Sequence, residues 1–184
     1  MQKKILLILS HGCEDMETVA PIDILNRAGI DVTIASLEKG PVNAAYGTRI
    51  VPHTTLAEVH GEFDGVVLPG GAENARNLAA NAKVVELVNQ YYKSGKLVAA
   101  ICASPALVLA DKTSILKGIP ATCSPGFEDF LKKGGAIVTG ERVTCHDNIF
   151  TGMGPGAALE FGLQVATYLM GDKIPNELRA KWRM

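Results

Sequence analysis

Residues 97–106 read LVAAICASPA, and they place a cysteine directly after a continuous apolar run. Such a run, bounded by Gly95 and followed by a second apolar stretch, is typical of a buried strand that turns into a helix. The small residues around Cys102 permit a sharp turn, so the stretch predicts a nucleophile elbow that projects the thiol above the sheet. The N-terminus of the following helix is expected to lower the pKa of the thiol, leaving Cys102 partly thiolate near neutral pH. The alternative is a small buried core residue.

Similar apolar runs recur on the N-terminal side and alternate with helical patterns. The runs are KKILLIL (3–9), DVTIAS (31–36) and FDGVVLP (63–69), and the helical patterns are ETVAPIDILNRAG (17–29) and AKVVELVNQYYKSG (82–95). Strands that are apolar on both faces lie between two helical layers, so we expect a mostly parallel α/β sheet covered on both sides. Gly29 and Gly95 stand where left-handed residues end helices.

The C-terminal half continues the same architecture. A short helix should follow Cys102, and helices are expected near residues 127–135 and 156–171, with a strand pair near 142–145 and 148–151. A last short helix should dock through Leu178 and Trp182, and residues 38–53 read as a loop with a small hairpin around 45–51. No repeat or linker interrupts the chain, so we expect one domain over residues 1–184.

Composition excludes several classes of function. The formal net charge is −1 and the basic residues are scattered, which speaks against a nucleic-acid or membrane surface. The N-terminal run ILLIL is shorter than the roughly 7–15 residues of a signal-peptide core, so it is interpreted as the first strand. The four cysteines show neither metal-ligand nor disulfide-framework spacing, which suggests a reducing, cytoplasmic setting without a metal.

The unusual residues of the chain fall in three loops that a flavodoxin-like strand order, 2-1-3-4-5, brings to one edge of the sheet. These loops read SHGCEDMET (10–18), PGGAEN (69–74) and CASP (102–105). Glu14, Asp15 and Glu17 are then equal candidates for a carboxylate beside the thiol, or for first-turn residues favoured by the helix dipole. Gly70 and Gly71 let backbone approach a ligand closely and offer N–H groups to an oxyanion, although Gly-Gly turns are common. The first loop lacks the Gly, Ser and Thr of a phosphate cradle, so flavin binding has only fold analogy behind it and no cofactor is expected.

The same residues resemble the DJ-one/ThiJ/PfpI superfamily, a class I glutamine amidotransferase-like group. The resemblance runs through GCEDMETVAPIDILNRAGIDVT (12–33), VVLPGG (66–71), VAAICASPALVLA (98–110) and MGPGAALEFGL (153–163), in that order. It implies a flavodoxin-like three-layer α/β/α sandwich that is usually a homodimer. It also implies that Cys102 is the reactive cysteine, that Glu17 is its carboxyl partner, and that Gly71 and Ala103 supply backbone N–H groups.

Three departures from the family pattern bear on the chemistry. Protease-like members carry a histidine after the cysteine, where this chain has Ala103, so peptidase or amidase chemistry is not expected. Relatives often have a site-lining histidine where this chain reads TCSPG, so Cys123 or Ser124 takes its place. Met153 stands where many relatives have an arginine before the GPG turn, which removes an anion contact.

The remaining histidines and cysteines are weaker candidates for the site. His11 lies in the first loop and could approach the site, or it could be an exposed imidazole, and His53 and His60 are expected on the surface. Cys13 is either a secondary redox thiol or a packed small residue. Cys123 and Cys145 are expected to be buried, with a place near Cys102 open to Cys123.

Two functions of different class use the same pair of residues. In the first, Cys102 and Glu17 form a cofactor-independent enzyme of the glyoxalase III or protein deglycase type, which converts methylglyoxal to lactate or removes glyoxal adducts from side chains. In the second, Cys102 is oxidised in a redox sensor or redox-regulated chaperone of the oxidative-stress response. The sequence does not separate them.

Overall fold

The computed structural model describes residues 2–183 and contains one seven-stranded sheet and two short strand pairs. The strands are β1 (Lys4–Leu9), β2 (Asp31–Ser36), β3 (Val42–Asn43), β4 (Arg49–Ile50), β5 (Thr54–Thr55), β6 (Gly65–Leu68), β7 (Leu97–Ile101), β8 (Pro120–Ala121), β9 (Ile137–Val138), β10 (Val143–His146) and β11 (Ile149–Gly152). The helices are α1 (Asp15–Arg27), α2 (Ala72–Ala80), α3 (Ala82–Lys93), α4 (Glu128–Lys133), α5 (Ala158–Met170) and α6 (Lys173–Trp182). A π-helical segment, Pro105–Ala110, follows β7, and a single 3₁₀ turn, Pro155–Ala157, precedes α5.

The strand order confirms the predicted flavodoxin-like topology. The large sheet runs β10-β11-β7-β6-β1-β2-β5, so the five long parallel strands lie in the predicted order 2-1-3-4-5. The antiparallel strand β10 closes one edge, as the predicted strand pair required, and the short β5 adds a further edge strand. The hairpin predicted around residues 45–51 is the pair β3 and β4, whose first strand begins earlier than expected, at Val42.

The apolar runs are continuous because both faces of the sheet are buried. Along β1, Ile5, Leu7 and Leu9 pack into the core on one side, and Leu6 and Ile8 pack into the core on the other. All five side chains are fully buried, which is the pattern expected of a strand between two helical layers.

Helices cover both faces of the sheet. The helices α1, α5 and α6 supply the core on one face, and α2, α3, the π-helical segment and α4 supply it on the other. Leu178 and Trp182 dock α6, as predicted, and Gly29 and Gly95 have the positive φ angles expected of helix-ending residues. The sequence did not predict α2, and the helix expected after Cys102 is π-helical.

This topology brings the carboxyl ends of β1, β6, β7 and β11 to one edge of the sheet. The loops that leave these ends carry residues 10–14, 69–71, 102–104 and 153–157. None of the helices in the described part of the chain is long and apolar enough to cross a membrane. The edge at which the four loops meet holds the candidate site.

Candidate functional site

Cys102 occupies the sharp turn between β7 and the π-helical segment. Its φ angle is +66°, a left-handed conformation that costs a residue with a side chain on the order of 1–3 kcal/mol. The backbone holds it there: the Cys102 N–H donates to the Gly152 carbonyl at 2.9 Å, and the Cys102 carbonyl accepts from the Ser124 N–H at 2.9 Å. The end of β11 and the loop at Ser124 therefore fix the backbone that carries the thiol.

Glu17, in the first turn of α1, is the carboxylic acid that the fold brings to Cys102. Its side chain is fully buried, and neither carboxyl oxygen has a well-aligned hydrogen-bond partner among residues 2–183. A Cβ atom on Gly70 would lie 2.2 Å from Glu17 Oε2 and 2.4 Å from Cys102 Cβ, so the two side chains meet over this glycine. Gly70 is therefore required for close approach of backbone to the pair.

Glu14, the residue before α1, positions Glu17. The Glu14 carboxylate accepts the Glu17 N–H at 2.7 Å, and the Glu14 carbonyl accepts from the Thr18 hydroxyl at 2.7 Å. The Glu14 N–H in turn donates to the Gly70 carbonyl at 3.1 Å. Glu14 is thus an N-cap that also ties the first turn of α1 to the glycine turn under Cys102.

The pKa of Glu17 is raised from 4.5 to about 7. Burial is the largest cause, and the Glu14 charge adds to it, while the Cys102 thiol and the Gly70 N–H favour the charged form and lower the pKa. A carboxyl group with this pKa exchanges its proton near neutral pH. Such a group can both accept and donate a proton in one reaction cycle.

The expectation of a lowered thiol pKa at Cys102 is wrong. Burial and the negative charge of Glu17 raise the pKa of Cys102 from 9.0 to about 11, against smaller opposing contributions from the Gly71 N–H and the Ser124 hydroxyl. The segment that follows is a six-residue π-helix, Pro105–Ala110, rather than the α-helix on which the expectation rested. The protonation states of Cys102 and Glu17 therefore depend on each other, because a negative charge on the carboxylate keeps the proton on sulfur.

The turn at Gly70 and Gly71 is built to bring backbone N–H groups close to the thiol. Gly71 has a φ angle of +87°, and a Cβ on it would lie 2.0 Å from the Gly12 carbonyl oxygen. The Gly71 N–H faces the Cys102 sulfur, where it lowers the pKa of the thiol. Ala103, the other predicted N–H donor, is buried beside Cys102.

Two polar residues that the sequence did not single out hold this turn in place. The side chain of Asn74 accepts the Ser10 N–H at 2.7 Å and donates to the carbonyls of Pro69 and Gly70 at 2.9 and 3.0 Å. The Ser104 hydroxyl donates to the Pro69 carbonyl at 2.6 Å. Both side chains are fully buried, which sequence alone does not reveal, because Asn and Ser at a helix start are usually solvated caps.

A small cavity of about 210 Å³ adjoins the pair. Its walls are formed by Ser124, Pro125, Arg142 and Met153, together with the turn at residues 154–157. Ser124 links the cavity to the thiol, since its hydroxyl is hydrogen-bonded to Cys102. The turn links it to the carboxyl group, since a Cβ on Gly154 would lie 3.8 Å from Glu17 Oε1.

The other candidates lie outside the contact between Cys102 and Glu17. His11 is half-buried and its Nδ1 accepts the Asn43 N–H at 3.1 Å, so the imidazole is engaged with the β3 and β4 hairpin rather than with the thiol. Cys13 and Cys123 are buried core residues, and burial raises the pKa of Cys123 to about 12. The prediction that Cys145 is buried is wrong, because it lies on the edge strand β10 and is exposed.

His53 and His60 are exposed, as predicted. All four cysteines are free thiols. Within residues 2–183 there is no group of three or more His, Cys, Asp or Glu side chains that could hold a metal ion. The groups that meet at the site are the Cys102 thiol, the Glu17 carboxyl group and the Gly71 N–H.

Comparison with known proteins shows the family that the chain matches. Residues 3–168 match the DJ-1/PfpI family. The chain is 38% identical over 182 residues to the zebrafish (Danio rerio) Parkinson disease protein 7 homolog, covering 97% of this chain and 95% of that protein. It is 35% identical over 182 residues to the Caenorhabditis elegans glutathione-independent glyoxalase DJR-1.2, covering 96% of this chain and 94% of that one. The crystal structure of Drosophila melanogaster DJ-1beta superposes with a TM-score of 0.92 at 34% identity, covering 100% of this chain and 99% of the other.

Proposed function

This chain belongs to the DJ-1/PfpI family, and we propose that it is a cofactor-independent cysteine enzyme that converts small reactive carbonyls, such as methylglyoxal, to hydroxy acids. One observation carries the proposal: the fully buried carboxyl group of Glu17 meets Cys102 over Gly70, with no other well-aligned partner among the described residues. A buried acid placed in this way is suited to proton transfer at the carbon that the sulfur attacks. A relative in C. elegans is named a glutathione-independent glyoxalase, which is consistent with this chemistry.

The first step is addition of sulfur to the aldehyde. The Glu17 carboxylate takes the proton of the Cys102 thiol as the sulfur attacks the aldehyde carbon, so the raised pKa of the free thiol is overcome only when substrate is present. The C–S bond forms and the carbonyl electron pair moves to oxygen. The N–H groups of Gly71 and Ala103 would stabilise that oxyanion, which then becomes the hydroxyl of a hemithioacetal.

The second step moves a hydrogen between neighbouring carbons. Glu17, which has returned the thiol proton to the hemithioacetal oxygen, removes the proton from the hemithioacetal carbon, and the electron pair of that C–H bond forms an enediol as the ketone oxygen takes up a proton. Glu17 then gives its proton to the former ketone carbon while the hydroxyl on the sulfur-bearing carbon loses its own, which leaves a thioester on Cys102 and a hydroxyl on the neighbouring carbon. Water then breaks the C–S bond, releasing lactate and restoring the thiol. A carboxyl group with a pKa of about 7 suits both halves of this transfer.

Deglycation would use the same intermediates. A glyoxal adduct on a Cys, Lys or Arg side chain is in equilibrium with the free aldehyde, and consumption of that aldehyde removes the adduct. Since the cavity beside the pair measures about 210 Å³, smaller than the roughly 300–1,000 Å³ of common ligand pockets, we favour the free small carbonyl as the substrate.

Redox sensing through Cys102 is the second candidate function. It is favoured by the partial exposure of Cys102 and by the adjacent Glu17, which when protonated could donate a hydrogen bond to a sulfinate oxygen. The same oxidation would underlie a redox-regulated chaperone in the oxidative-stress response. The thiol of Cys102 has its pKa raised, which slows reaction with peroxide and makes this the less favoured function.

We also propose that the protein works in the cytoplasm with its four thiols reduced.

A homodimer through α1 is a further part of the proposal. Met16, Val19 and Leu159 are large apolar side chains that are 54%, 48% and 45% exposed, and they line one groove of about 650 Å³ beside the site. A second copy would cover them across a twofold axis. Light scattering should give about twice the 19.5 kDa chain mass, and Val19→Glu should halve it. A wild-type monomer at micromolar concentration would contradict this proposal.

A progress curve with methylglyoxal separates the two functions. Purified protein should produce many equivalents of lactate per chain without glutathione, and Cys102→Ser should produce none, since a hydroxyl is a far weaker nucleophile than a thiol. Cys145→Ser is the matched control, because it removes a thiol outside the site. If lactate stops at one equivalent or never forms, the enzyme proposal fails and the sensor takes precedence.

A further inference from the structure

Among the described residues that line the cavity beside Cys102, Arg142 is the only one with a positively charged side chain. Met153 stands where many relatives have an arginine before the GPG turn, so the motif alone predicts no anion contact here. Met153 and Arg142 form part of the same wall, and the Met153 N–H donates to the Arg142 carbonyl at 2.9 Å. The cavity therefore does have a positive charge, which comes from Arg142 in the connection between β9 and β10 rather than from the residue before the GPG turn.

The guanidinium of Arg142 is held in place and keeps free donors. Its Nε donates to Glu160 Oε2 at 3.1 Å, and Nη2 donates to the Gly156 carbonyl. Within residues 2–183 Nη1 has no hydrogen-bond partner, so part of the five-donor fork is available to a ligand. The side chain is 61% exposed, so its attraction for an anion is moderated by solvent.

We propose that Arg142 is a specificity-determining residue that binds a carboxylate at the far end of the cavity, so that the site prefers anionic carbonyl compounds to neutral ones. The carbonyl carbon would lie at Cys102, and the carboxylate would accept hydrogen bonds from the free edge of the guanidinium. Glu160 opposes this preference, since its carboxylate partly neutralises Arg142. The substrate class rests on the proposed function, whereas the anion subsite is testable without turnover.

Two alkylating reagents test the subsite directly. Iodoacetate and iodoacetamide react with the same thiolate and lose the same iodide, but only iodoacetate carries a charge. The ratio of their second-order rate constants at Cys102, measured by peptide mass spectrometry, cancels the thiolate fraction and reports recognition of the carboxylate. Arg142→Gln should lower this ratio about three- to fivefold, the size of a solvent-screened ion pair. Glu160→Gln should raise it, because Arg142 is released.

Matched controls make the result decisive. Arg27→Gln removes an arginine whose Nε is paired with Asp23 at 2.9 Å on α1, away from the cavity, and should leave the ratio unchanged. Arg142→Lys should keep part of the preference, since it retains the charge without the fork. An unchanged ratio in Arg142→Gln overturns the proposal, and so does an equal fall in both rate constants, which would indicate a disturbed thiol. A protein that forms no lactate yet shows the predicted ratios has the subsite without the proposed enzyme function.

Discussion

Glu14 and Glu17 lie three residues apart at the start of the same helix, and the structure gives their carboxyl groups different contacts: one caps the helix and the other meets a cysteine. Both are buried, with 7% and 0% exposure. The Glu14 carboxylate caps the helix by accepting the Glu17 N–H at 2.7 Å, whereas the carboxyl group of Glu17 has no aligned partner among residues 2–183 and faces Cys102. The comparison teaches that two buried carboxyl groups on one helix turn take different roles according to what each one contacts: Glu14 is tied to the backbone as an N-cap, and Glu17 meets the thiol.

The largest effect should come from Glu17→Gln, which makes the buried residue permanently neutral. Gln can still donate a hydrogen bond but cannot carry a proton, so lactate formation should fall by at least the roughly 10²-fold typical of a lost general acid–base. Alkylation of Cys102 by iodoacetamide should become faster at neutral pH, because the charge that raises the pKa of the thiol is gone. Turnover and alkylation are measured in one preparation.

The two readouts of Glu17→Gln discriminate between explanations. Undiminished lactate formation would exclude Glu17 as the proton carrier. Loss of both turnover and alkylation would indicate misfolding or displacement of Cys102. The peroxide reaction of Cys102 should be affected far less than turnover, since Gln can still donate to a sulfinate.

The pH dependence of stability should be of intermediate size. The unfolded chain releases the Glu17 proton near pH 4.5, whereas the folded protein holds it to about pH 7, so the native state binds more protons in between. The Glu17 contribution is therefore fully present below pH 4.5 and is lost as pH rises through 7, by at most about 3 kcal/mol. Urea titrations of wild type and Glu17→Gln between pH 4.5 and 8 measure it. The wild-type curve should fall relative to the variant, and parallel curves would contradict the raised pKa.

The sequence predicted the fold more completely than the site. Apolar runs such as 97–101 depend on local pattern, and Gly29 and Gly95 mark helix ends by backbone geometry alone, so a parallel sheet between two helical layers could be expected. The strand order followed from the flavodoxin-like topology assumed for such a sheet. The proton balance at Cys102 depends on which side chains meet across four loops. Glu14, Asp15 and Glu17 look alike in sequence, and only the packing of α1 on Gly70 distinguishes them. The pKa of Cys102 escapes sequence-based prediction for the same reason, since it depends on burial and on the charge of Glu17, which only the folded structure brings to the thiol.

The smallest effect should come from Glu14→Gln, which sharpens the comparison with Glu17 without removing the cap. The Gln side-chain oxygen can still accept the Glu17 N–H, but the charge that helps to raise the pKa of Glu17 is lost. The midpoint of the pH-dependent loss of stability should therefore move to lower pH. Glu14→Ala should in addition lower the free energy of unfolding by about 1 kcal/mol, the usual cost of a lost N-cap. Asp15→Asn is the matched control, because the Asp15 carboxylate accepts the N–H groups of Tyr46 and Thr48 at 2.8 and 3.0 Å and should leave the midpoint unchanged. An unmoved midpoint in Glu14→Gln would show that burial alone sets the protonation of Glu17.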